Sequence, residues 1–370
     1  MKIAHVTDFY LPRLGGVEMH VHDLAVRQQA AGHQVEIVTT SPGPGCERDL
    51  PVHRLTGQGW LPAELSAGRR LLRERAYDVV HVHAGPTSPL AFAAIGLAAQ
   101  LPTVVTVHSL LYLLEPAFRV LDAGIGWSAL PAVWTAVSQV AAVPLRRLVG
   151  SAPVHVLPNG IEAEPWRVAA HPPLPGELLV VAVMRLAARK RPLHLLRLLR
   201  RAHRNLAGQA RLRAVIVGDG PLRGATERHL RRHDMTGWVE LPGRLTRPQI
   251  KETFTRADVF VAPATLESFG IAALEARCAG LPVIARSQGG IGEFITDGRE
   301  GLLVDSDHAM ADAIVALAID EGTRARIAAH NRTTLPPVSW PDVLARTAKL
   351  YDLAASHHAT VDDVRRRPVR

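Results

Sequence analysis

Hydrophobic and polar positions alternate in blocks along the first 160 residues, and each block has the period of one secondary-structure type. Short apolar runs predict buried strands, and apolar residues spaced three and four apart predict amphipathic helices. The predicted strands cover residues 2–7, 34–39, 52–55, 78–83, 103–107, 132–138 and 154–157. The predicted helices between them cover residues 17–31, 63–75, 89–100 and 141–149. This alternation predicts a mostly parallel sheet with helices on both faces.

The second half of the chain repeats this architecture without repeating the sequence. Strands are predicted at residues 178–183, 212–217, 239–241, 259–261 and 283–285. Helices are predicted at residues 192–205, 221–233, 248–254 and 340–353, the last before a disordered tail. From Glu267 onward, a short loop is predicted to open a further helix that ends near Gly280. We therefore expect an α/β chain with a first domain over residues 1–160, a Pro- and Ala-rich linker over 161–177, a second domain over 178–335, and a C-terminal helix with a basic tail over 336–370.

The composition of the 370 residues is that of a globular protein, with 47% hydrophobic and 21% charged residues. The only cysteines, Cys46 and Cys278, support neither a disulfide framework nor a zinc site. No signal-peptide pattern follows Met1, so a cytoplasmic location is expected. Residues 123–145 carry no charge, but Gly and Pro interrupt them, and a buried strand is expected there instead of a membrane span.

The net charge of +9 lies mainly in the second half, because residues 1–160 carry +1 and residues 161–370 carry +8. Residues 189–213 alone hold nine basic residues and no acidic one. A basic half is compatible with an anionic ligand such as a nucleotide diphosphate, with a lipid surface or with nucleic acid. A solvated arginine-rich surface is the alternative, and composition does not separate these interpretations.

Two glutamates, Glu267 and Glu275, stand eight positions apart around a loop of small residues that runs into a helical pattern. Backbone N–H groups of residues 268–271 would be unpaired at the positive end of that helix, where a phosphate is stabilised. Glu275 would lie further along and could accept hydrogen bonds from sugar or ribose hydroxyls. An ordinary amphipathic helix with a solvated glutamate at each end explains the same pattern, so neighbouring motifs must decide.

Several polar groups follow the predicted strands, at the edge where doubly wound folds bind ligands. Arg185 and Lys190 follow strand 178–183, and such cations neutralise diphosphates. Gly15 and Gly16 follow the first strand, and because they have no side chains, a phosphate or sugar can approach their backbone closely. His108 closes strand 103–107. The motif Asp305-Ser306-Asp307 has the D-x-D form that holds Mg²⁺ or Mn²⁺ in some sugar transferases, but it lies in a late turn far along the chain from the other candidates, and no metal is expected.

Taken in order, the motifs resemble those of the retaining GT-B glycosyltransferases of family 4. They are Gly15-Gly16-Val17-Glu18, Thr106-x-His108, Pro158-Asn159-Gly160-Ile161, Arg185-x4-Lys190, Gly218-Asp219-Gly220, Glu267-x7-Glu275 and Gly289-Gly290-Ile291. The resemblance extends from residue 3 to about residue 305. It implies two Rossmann-like domains facing a cleft, an N-terminal acceptor domain, a C-terminal nucleotide-sugar domain, a last helix that crosses back to the first domain, and no required metal or other cofactor.

The resemblance also implies roles for individual residues. Arg185 and Lys190 would hold the diphosphate together with the Gly16 N–H, and Glu275 would bind the ribose. Glu267 would bind the donor sugar. The other implied donor-binding residues are Gly15, Ser268, Phe269, Gly270 and Ile271. The implied acceptor-binding residues are Tyr10 and His20. Catalysis would involve His108, Arg185, Lys190 and Glu267, with the leaving diphosphate itself assisting the incoming hydroxyl on the same face of the sugar.

Within this family, the N-terminal motifs look most like those of the catalytic subunit of the GPI-anchor N-acetylglucosaminyltransferase, with phosphatidylinositol mannosyltransferases as a nearby comparison. A UDP- or GDP-sugar donor and an inositol-containing, lipid-linked or small-metabolite acceptor are therefore expected. Val107 departs from the pattern, because that subunit has an acid there. The arginine-rich helix 63–75 could lie peripherally on the anionic inner face of the cell membrane, or could be simply solvated. A GT-B nucleotide-sugar epimerase and a basic membrane- or nucleic-acid-binding protein are the competing hypotheses, although no nucleic acid partner is expected.

Overall fold

The computed structural model describes residues 1–47, 49–55, 61–112, 115–169 and 176–366. The chain divides into two compact units. Unit 1 comprises Met1–Gly160 and Trp340–Arg370, and unit 2 comprises Ile161–Ser339. The described part of the predicted linker, residues 161–169, therefore belongs to unit 2, while residues 170–175 and the end of the basic tail, 367–370, lie outside the described residues.

Unit 1 is built on a sheet whose strands run in the order β3-β4-β2-β1-β5-β6-β7-β8. The strands are β1 (Lys2–Thr7), β2 (Gln34–Thr39), β3 (Cys46–Glu47), β4 (Leu50–Arg54), β5 (Val79–Ala84), β6 (Thr103–Val107), β7 (Val133–Ala136) and β8 (Val154–Val156). The pairing is parallel except between β3 and β4. The helices of unit 1 are α1 (Gly16–Ala30), α2 (Leu61–Glu74), α3 (Pro89–Ile95), α4 (Glu115–Ile125), α5 (Gln139–Val149) and, from the end of the chain, α12 (Trp340–Arg366).

The last helix supplies part of the hydrophobic core of unit 1. Val343 and Ala354 of α12 are fully buried in the same apolar cluster as Ile3, Val79 and Val104 of the central strands. Burying these side chains removes apolar surface from water, the main favourable contribution to folding. Residues 340–354 are therefore part of the first unit's fold, although they follow the second unit in sequence.

Unit 2 has a parallel sheet with strand order β11-β10-β9-β12-β13-β14. Its strands are β9 (Glu177–Val183), β10 (Arg211–Val217), β11 (Val239–Gly243), β12 (Val259–Ala262), β13 (Val283–Arg286) and β14 (Gly301–Val304). Its helices are α6 (Pro192–Leu206), α7 (Arg223–Arg232), α8 (Arg247–Arg256), α9 (Ile271–Cys278), α10 (Asp307–Ile319) and α11 (Glu321–Thr333). The direction of strand addition reverses between β9 and β12, and such a reversal leaves a crevice at the carboxyl ends of the two strands.

The observed elements agree closely with the sequence pattern in the central strands. The limits of β1, β2 and β6 coincide with the predicted ranges 2–7, 34–39 and 103–107. Helix α4 was not predicted, and α3 ends at Ile95, before Gly96, whereas the prediction extended to residue 100. Within the described ranges, no helix combines the length and the apolar character needed to cross a bilayer.

Candidate active site

The loop that carries Arg185 follows β9 and is positioned by a neighbouring glycine turn. The Leu186 N–H donates to the Asp219 carbonyl at 2.9 Å. Gly218 has a φ of +137°, and a Cβ atom there would lie 1.8 Å from the carbonyl oxygen of Met184. Glycine is thus required for the close packing of the two loops. Arg185 itself is exposed, and no ion-pair partner for it is found among the described residues.

Lys190 and Glu267 form an ion pair at the point where the strand order of unit 2 reverses. Lys190 ends a single 3-10 turn after β9, and Glu267 lies in the loop after β12. The ammonium nitrogen of Lys190 donates to Glu267 Oε2, and the two side chains are 22% and 14% exposed. The structure thus brings together two residues that are 77 positions apart. At this edge, the Lys190 ammonium can bind an anionic group, and beside it the Glu267 carboxylate can accept hydrogen bonds from a polyhydroxyl group.

The main chain of the Glu267 loop is fixed by packing against the segment 289–291. The Gly290 N–H donates to the Glu267 carbonyl at 2.8 Å. A Cβ atom at Gly289 would lie 3.2 Å from that same carbonyl oxygen. Gly270 has a φ of +95°, and a Cβ atom there would lie 2.5 Å from Cγ1 of Ile291. The glycines of both motifs therefore permit one close loop–loop contact that orients Glu267.

Helix α9 begins at Ile271, after the short loop that the sequence pattern placed at the start of this segment, and Gly270 precedes the helix in the left-handed conformation. Glu267 and Glu275 consequently do not lie on one helix. Phe269 is 2% exposed and packs its ring 5.5 Å from that of Phe294, so its side chain anchors the loop. Ser268 and Ile271 are half-buried.

Glu275 lies in the second turn of α9 and is 7% exposed. Arg247, at the start of α8, places its Nε atom 3.9 Å from Glu275 Oε1. A carboxylate in this position can accept hydrogen bonds from hydroxyl groups, and it would repel an anionic group such as a phosphate. Its assignment to ribose hydroxyls remains a prediction.

Arg191 and Asp307 form a bidentate ion pair that the sequence pattern did not indicate. The two guanidinium N–H groups donate to the two Asp307 oxygens at 2.8 and 2.7 Å. Arg286 adds a third contact at 3.0 Å. These cations, led by the Arg191 hydrogen bond, hold the pKa of Asp307 below its usual value. A carboxylate engaged by two guanidinium groups is a poor metal ligand.

In unit 1, Gly15 and Gly16 lie at the start of α1. Gly16 is the first helical residue and is exposed. The Glu18 carboxylate lies over Gly15, since a Cβ atom at Gly15 would be 2.3 Å from Glu18 Oε2. Arg13 pairs with the other carboxylate oxygen at 3.0 Å. An anion bound at the Gly16 N–H would therefore lie beside the Glu18–Arg13 ion pair.

Tyr10 and His20, the two predicted acceptor-binding residues, are both buried. Tyr10 is fully buried in the core, and its hydroxyl lies 2.9 Å from Nδ1 of His22. The ring of His20 stacks on Trp340 of α12, with centroids 5.4 Å apart. Burial lowers the pKa of His20 to about 3, so the ring is neutral. These positions give Tyr10 and His20 packing roles in unit 1.

His108 follows β6 and is 5% exposed. Its Nε2 lies 3.0 Å from Nδ1 of His83, which in turn lies beside His5 and His81 of the neighbouring strands. Burial, followed by the charge that His20 would carry, lowers the pKa of His108 well below its usual value. His81 and His83 stack with centroids 4.3 Å apart, as expected for alternate positions on one strand face.

Within the described ranges, His5, His81 and His83 are close enough together to be considered as metal ligands. Each of their six ring nitrogens already has a hydrogen-bond partner in the structure. A metal ion requires a free lone pair from each ligand. The arrangement is therefore that of a hydrogen-bonded cluster and does not fit a metal ion.

Comparison with known proteins gives matches along most of the chain. Residues 14–165 match the family described as Glycosyltransferase Family 4, and residues 168–334 match the family described as Glycosyl transferases group 1. The phosphatidylinositol N-acetylglucosaminyltransferase gpi3 subunit of Schizosaccharomyces pombe is 26% identical over 95% of this chain and 81% of its own length. Alpha-maltose-1-phosphate synthase of Mycobacterium tuberculosis is 29% identical over 95% of this chain and 99% of its own. The crystal structure of Anabaena HepE in complex with UDP and glucose superimposes with a TM-score of 0.72 at 18% identity, covering 98% of this chain and 99% of the other.

Proposed function

Since the chain belongs to the family 4 glycosyltransferases and has the GT-B fold, we propose that it transfers a hexosyl group from a nucleotide-diphosphate sugar to an acceptor hydroxyl with retention of anomeric configuration. The observation that carries this proposal is the Lys190–Glu267 pair at the strand-order reversal of unit 2. Unit 2 would hold the donor, and unit 1 would hold the acceptor. No metal is required in this scheme.

Each residue of the donor site has a separate task in the proposed reaction. Arg185 and Lys190 stabilise the negative charge that grows on the diphosphate as its bond to the sugar carbon breaks. Glu267 and the backbone of the following loop hold the sugar hydroxyls, and Glu275 holds the ribose. The acceptor oxygen bonds to the same sugar carbon, and its proton passes to an oxygen of the leaving diphosphate. The family resemblance also implies that the Gly16 N–H contacts the diphosphate and that His108 takes part in catalysis.

The donor is proposed to be a UDP- or GDP-sugar of the N-acetylglucosamine, mannose or glucose type. The UDP and glucose held by HepE favour UDP as the nucleotide. The relatives' names describe different reactions, since one is a phosphatidylinositol N-acetylglucosaminyltransferase subunit and the other an alpha-maltose-1-phosphate synthase. We accordingly include inositol-containing, lipid-linked and small-metabolite hydroxyl acceptors.

A peripheral position on the anionic inner face of the cell membrane is a further proposal, supported by the arginines of α2. Arg70 and Arg73 are exposed, although Arg73 also donates to Gln100 at 3.0 Å. Sedimentation with anionic and neutral vesicles tests this position. Equal sedimentation with both would show that α2 is only a solvated helix and would leave a cytoplasmic enzyme.

The test of the proposed function begins with thermal unfolding in the presence of UDP, GDP and ADP. A nucleotide at about 100 times its dissociation constant should stabilise the protein by about 2.7 kcal/mol. The stabilisation should be lost in Glu275→Ala. Incubation with the preferred donor alone then separates transfer from epimerisation, since an epimerase would convert the donor without an acceptor. Stabilisation by none of the nucleotides, or binding that depends steeply on salt and survives Glu275→Ala, would contradict the proposal.

A further inference from the structure

Arg191 directly follows Lys190 and has a backbone conformation that favours glycine. Its φ is +60° and its ψ is 44°, in the left-handed region. In that region the Cβ atom of an L residue is crowded by the backbone, so a residue other than glycine stays there only where its surroundings hold it. Arg191 ends the 3-10 turn that carries Lys190, and α6 begins at the next residue. The strained conformation at Arg191 therefore determines how the chain leaves that turn and where the adjacent Lys190 side chain starts.

The side chain of Arg191 connects three separate segments of unit 2. Its Nη1 donates to the Pro263 carbonyl at 3.1 Å, and Pro263 lies in the loop after β12 that also carries Glu267. Its two terminal nitrogens donate to the two oxygens of Asp307, at the start of α10. The Arg191 side chain is 17% exposed, so these contacts are partly shielded from water. The turn of Lys190, the loop of Glu267 and the first turn of α10 are thus joined by one guanidinium group.

The Asp307 carboxylate also keeps two cations close together. Arg286, at the end of β13, donates to Asp307 Oδ1 at 3.0 Å and has a side chain that is 10% exposed. Arg286 donates to the Asp305 carbonyl as well, so it has an anchor that does not depend on Asp307. Without the carboxylate charge, the two guanidinium groups would repel each other in a site with little water. Because Arg286 keeps its second anchor, Arg191 is the cation that would move.

We propose that Asp307 is a positioning residue that acts through Arg191 to keep the Lys190 ammonium beside Glu267, at the place where the diphosphate of the donor would bind. The part of this inference that concerns the diphosphate rests on the proposed function, whereas the position of Lys190 can be measured without any substrate. A charge that is already in place when the reaction begins stabilises a departing anion without reorganisation. Asp307 would supply that arrangement without touching the substrate.

Glycine at position 191 separates this role from a general structural one. Glycine adopts positive φ about as readily as negative φ, so Arg191→Gly should keep the turn although the side-chain anchor is lost. Arg191→Ala removes the anchor and keeps the strain, so the turn should relax. In the Arg191→Gly background Asp307 has no guanidinium to hold at this position, and Asp307→Asn should have no further effect on Lys190. If Asp307 only stabilised the start of α10, its replacement would have the same effect in both backgrounds.

The first measurement is the rate at which an amine-selective acylating reagent modifies Lys190 in the full chain without any ligand. Peptide mass spectrometry can follow every lysine separately, because the chain has only four, Lys2, Lys190, Lys251 and Lys349. The Lys190 amine is held against a carboxylate and is 22% exposed, so it should react slowly. We expect Asp307→Asn and Arg191→Ala to raise its rate about three- to tenfold, the factor that corresponds to one hydrogen bond. The rate at the exposed Lys349 is the internal reference.

The second measurement is steady-state kinetics with the preferred donor and acceptor. A displaced Lys190 would stabilise the departing diphosphate less, so kcat of Asp307→Asn should fall about tenfold, a smaller loss than the complete removal of such a contact causes. The KM for the donor should change less than kcat, because the charge grows only as the bond breaks. The matched control is Asp312→Asn, which removes the same charge from an exposed position on α10 and should change neither the labelling rate nor kcat.

Three results would overturn the proposal. The first is a wild-type labelling rate at Lys190 in folded Asp307→Asn. The second is a rise caused by Asp307→Asn that is as large in the Arg191→Gly background as in the wild type, since the effect would then not pass through Arg191. If Asp307→Asn fails to fold, equal Lys190 rates in Arg191→Ala and Arg191→Gly are the third. The expected labelling rates in a protein that uses no nucleotide sugar would refute the proposed function and leave the positioning role standing.

Discussion

Trp340 at the start of α12 lies nearly parallel to His20 of α1, with 13° between the ring planes and 5.4 Å between the centroids. Arg27 covers the same indole ring at 4.5 Å. A Cβ atom at Gly160 would lie 2.6 Å from Cδ2 of Trp340, so the glycine of the Pro158–Ile161 motif is required by this packing. One indole ring therefore joins the first helix, the last helix and the end of the first chain segment of unit 1.

Replacing Trp340 should destabilise unit 1 strongly. Trp340→Ala removes a buried indole, and large-to-small changes of this kind cost about 3–5 kcal/mol. Denaturant unfolding of the full chain measures the loss. Arg346→Ala, an exposed position on the same helix, is the control and should change the free energy of unfolding by less than about 0.5 kcal/mol. Equal stability of the two variants would show that α12 contributes little to unit 1.

Lys190→Met should lower kcat with little change in stability. The substitution keeps the length of the side chain and removes the charge that would stabilise the departing diphosphate. Loss of one such contact typically lowers kcat by about 10²- to 10³-fold. Arg189→Met removes a cation from an exposed neighbouring position and should retain activity. Initial-rate kinetics with the preferred donor compare the two, and similar losses would indicate a general effect of charge.

Gly218→Ala should weaken donor binding by moving the Arg185 loop. The added methyl group would collide with the Met184 carbonyl, a backbone atom, and the φ of +137° is unfavourable for alanine. Gly237→Ala is the control, because nothing lies within 4 Å of its Cβ position. Calorimetric titration with the nucleotide measures the affinity, and unchanged affinity in a folded Gly218→Ala would separate Arg185 from the donor site.

The stability of unit 1 should fall between pH 6.5 and about 4. The pKa of His5 is lowered from 6.5 to about 4 by burial, and that of His20 to about 3. In this range the histidines of the unfolded state bind protons, whereas the same histidines stay neutral when buried in the folded state. The free energy of unfolding therefore decreases as the pH falls. Each pKa unit corresponds to about 1.4 kcal/mol. Chemical unfolding at a series of pH values measures the slope, and His5→Gln should reduce it.

The sequence was sufficient for the two-domain α/β fold and for the glycosyltransferase family. Continuous apolar runs predicted the central strands because strands of a covered parallel sheet are buried on both faces. The match of both halves to glycosyltransferase families confirms the resemblance drawn from the ordered motifs. Helix α4 (Glu115–Ile125) was not predicted from the sequence pattern.

Relationships that depend on strand order could not be predicted from sequence. His5 pairs in register with His81, and Thr7 with His83, only because β1 and β5 are neighbours. The pairing of Arg191 with Asp307 requires β9, β12, β13 and β14 to end at one edge. The roles proposed for Arg185, Lys190, Glu267 and Glu275 stay predictions until the donor-binding experiments are done.

The division of unit 1 into two separated chain segments has a consequence during synthesis on the ribosome. Residues 1–160 emerge first, but Trp340, Val343 and Tyr351 emerge only after all of unit 2. Until then, the apolar surface that α12 covers is open to water, while unit 2 is a single continuous segment that can fold as it emerges. The core of unit 1 is therefore completed last, although its N-terminal segment is made first.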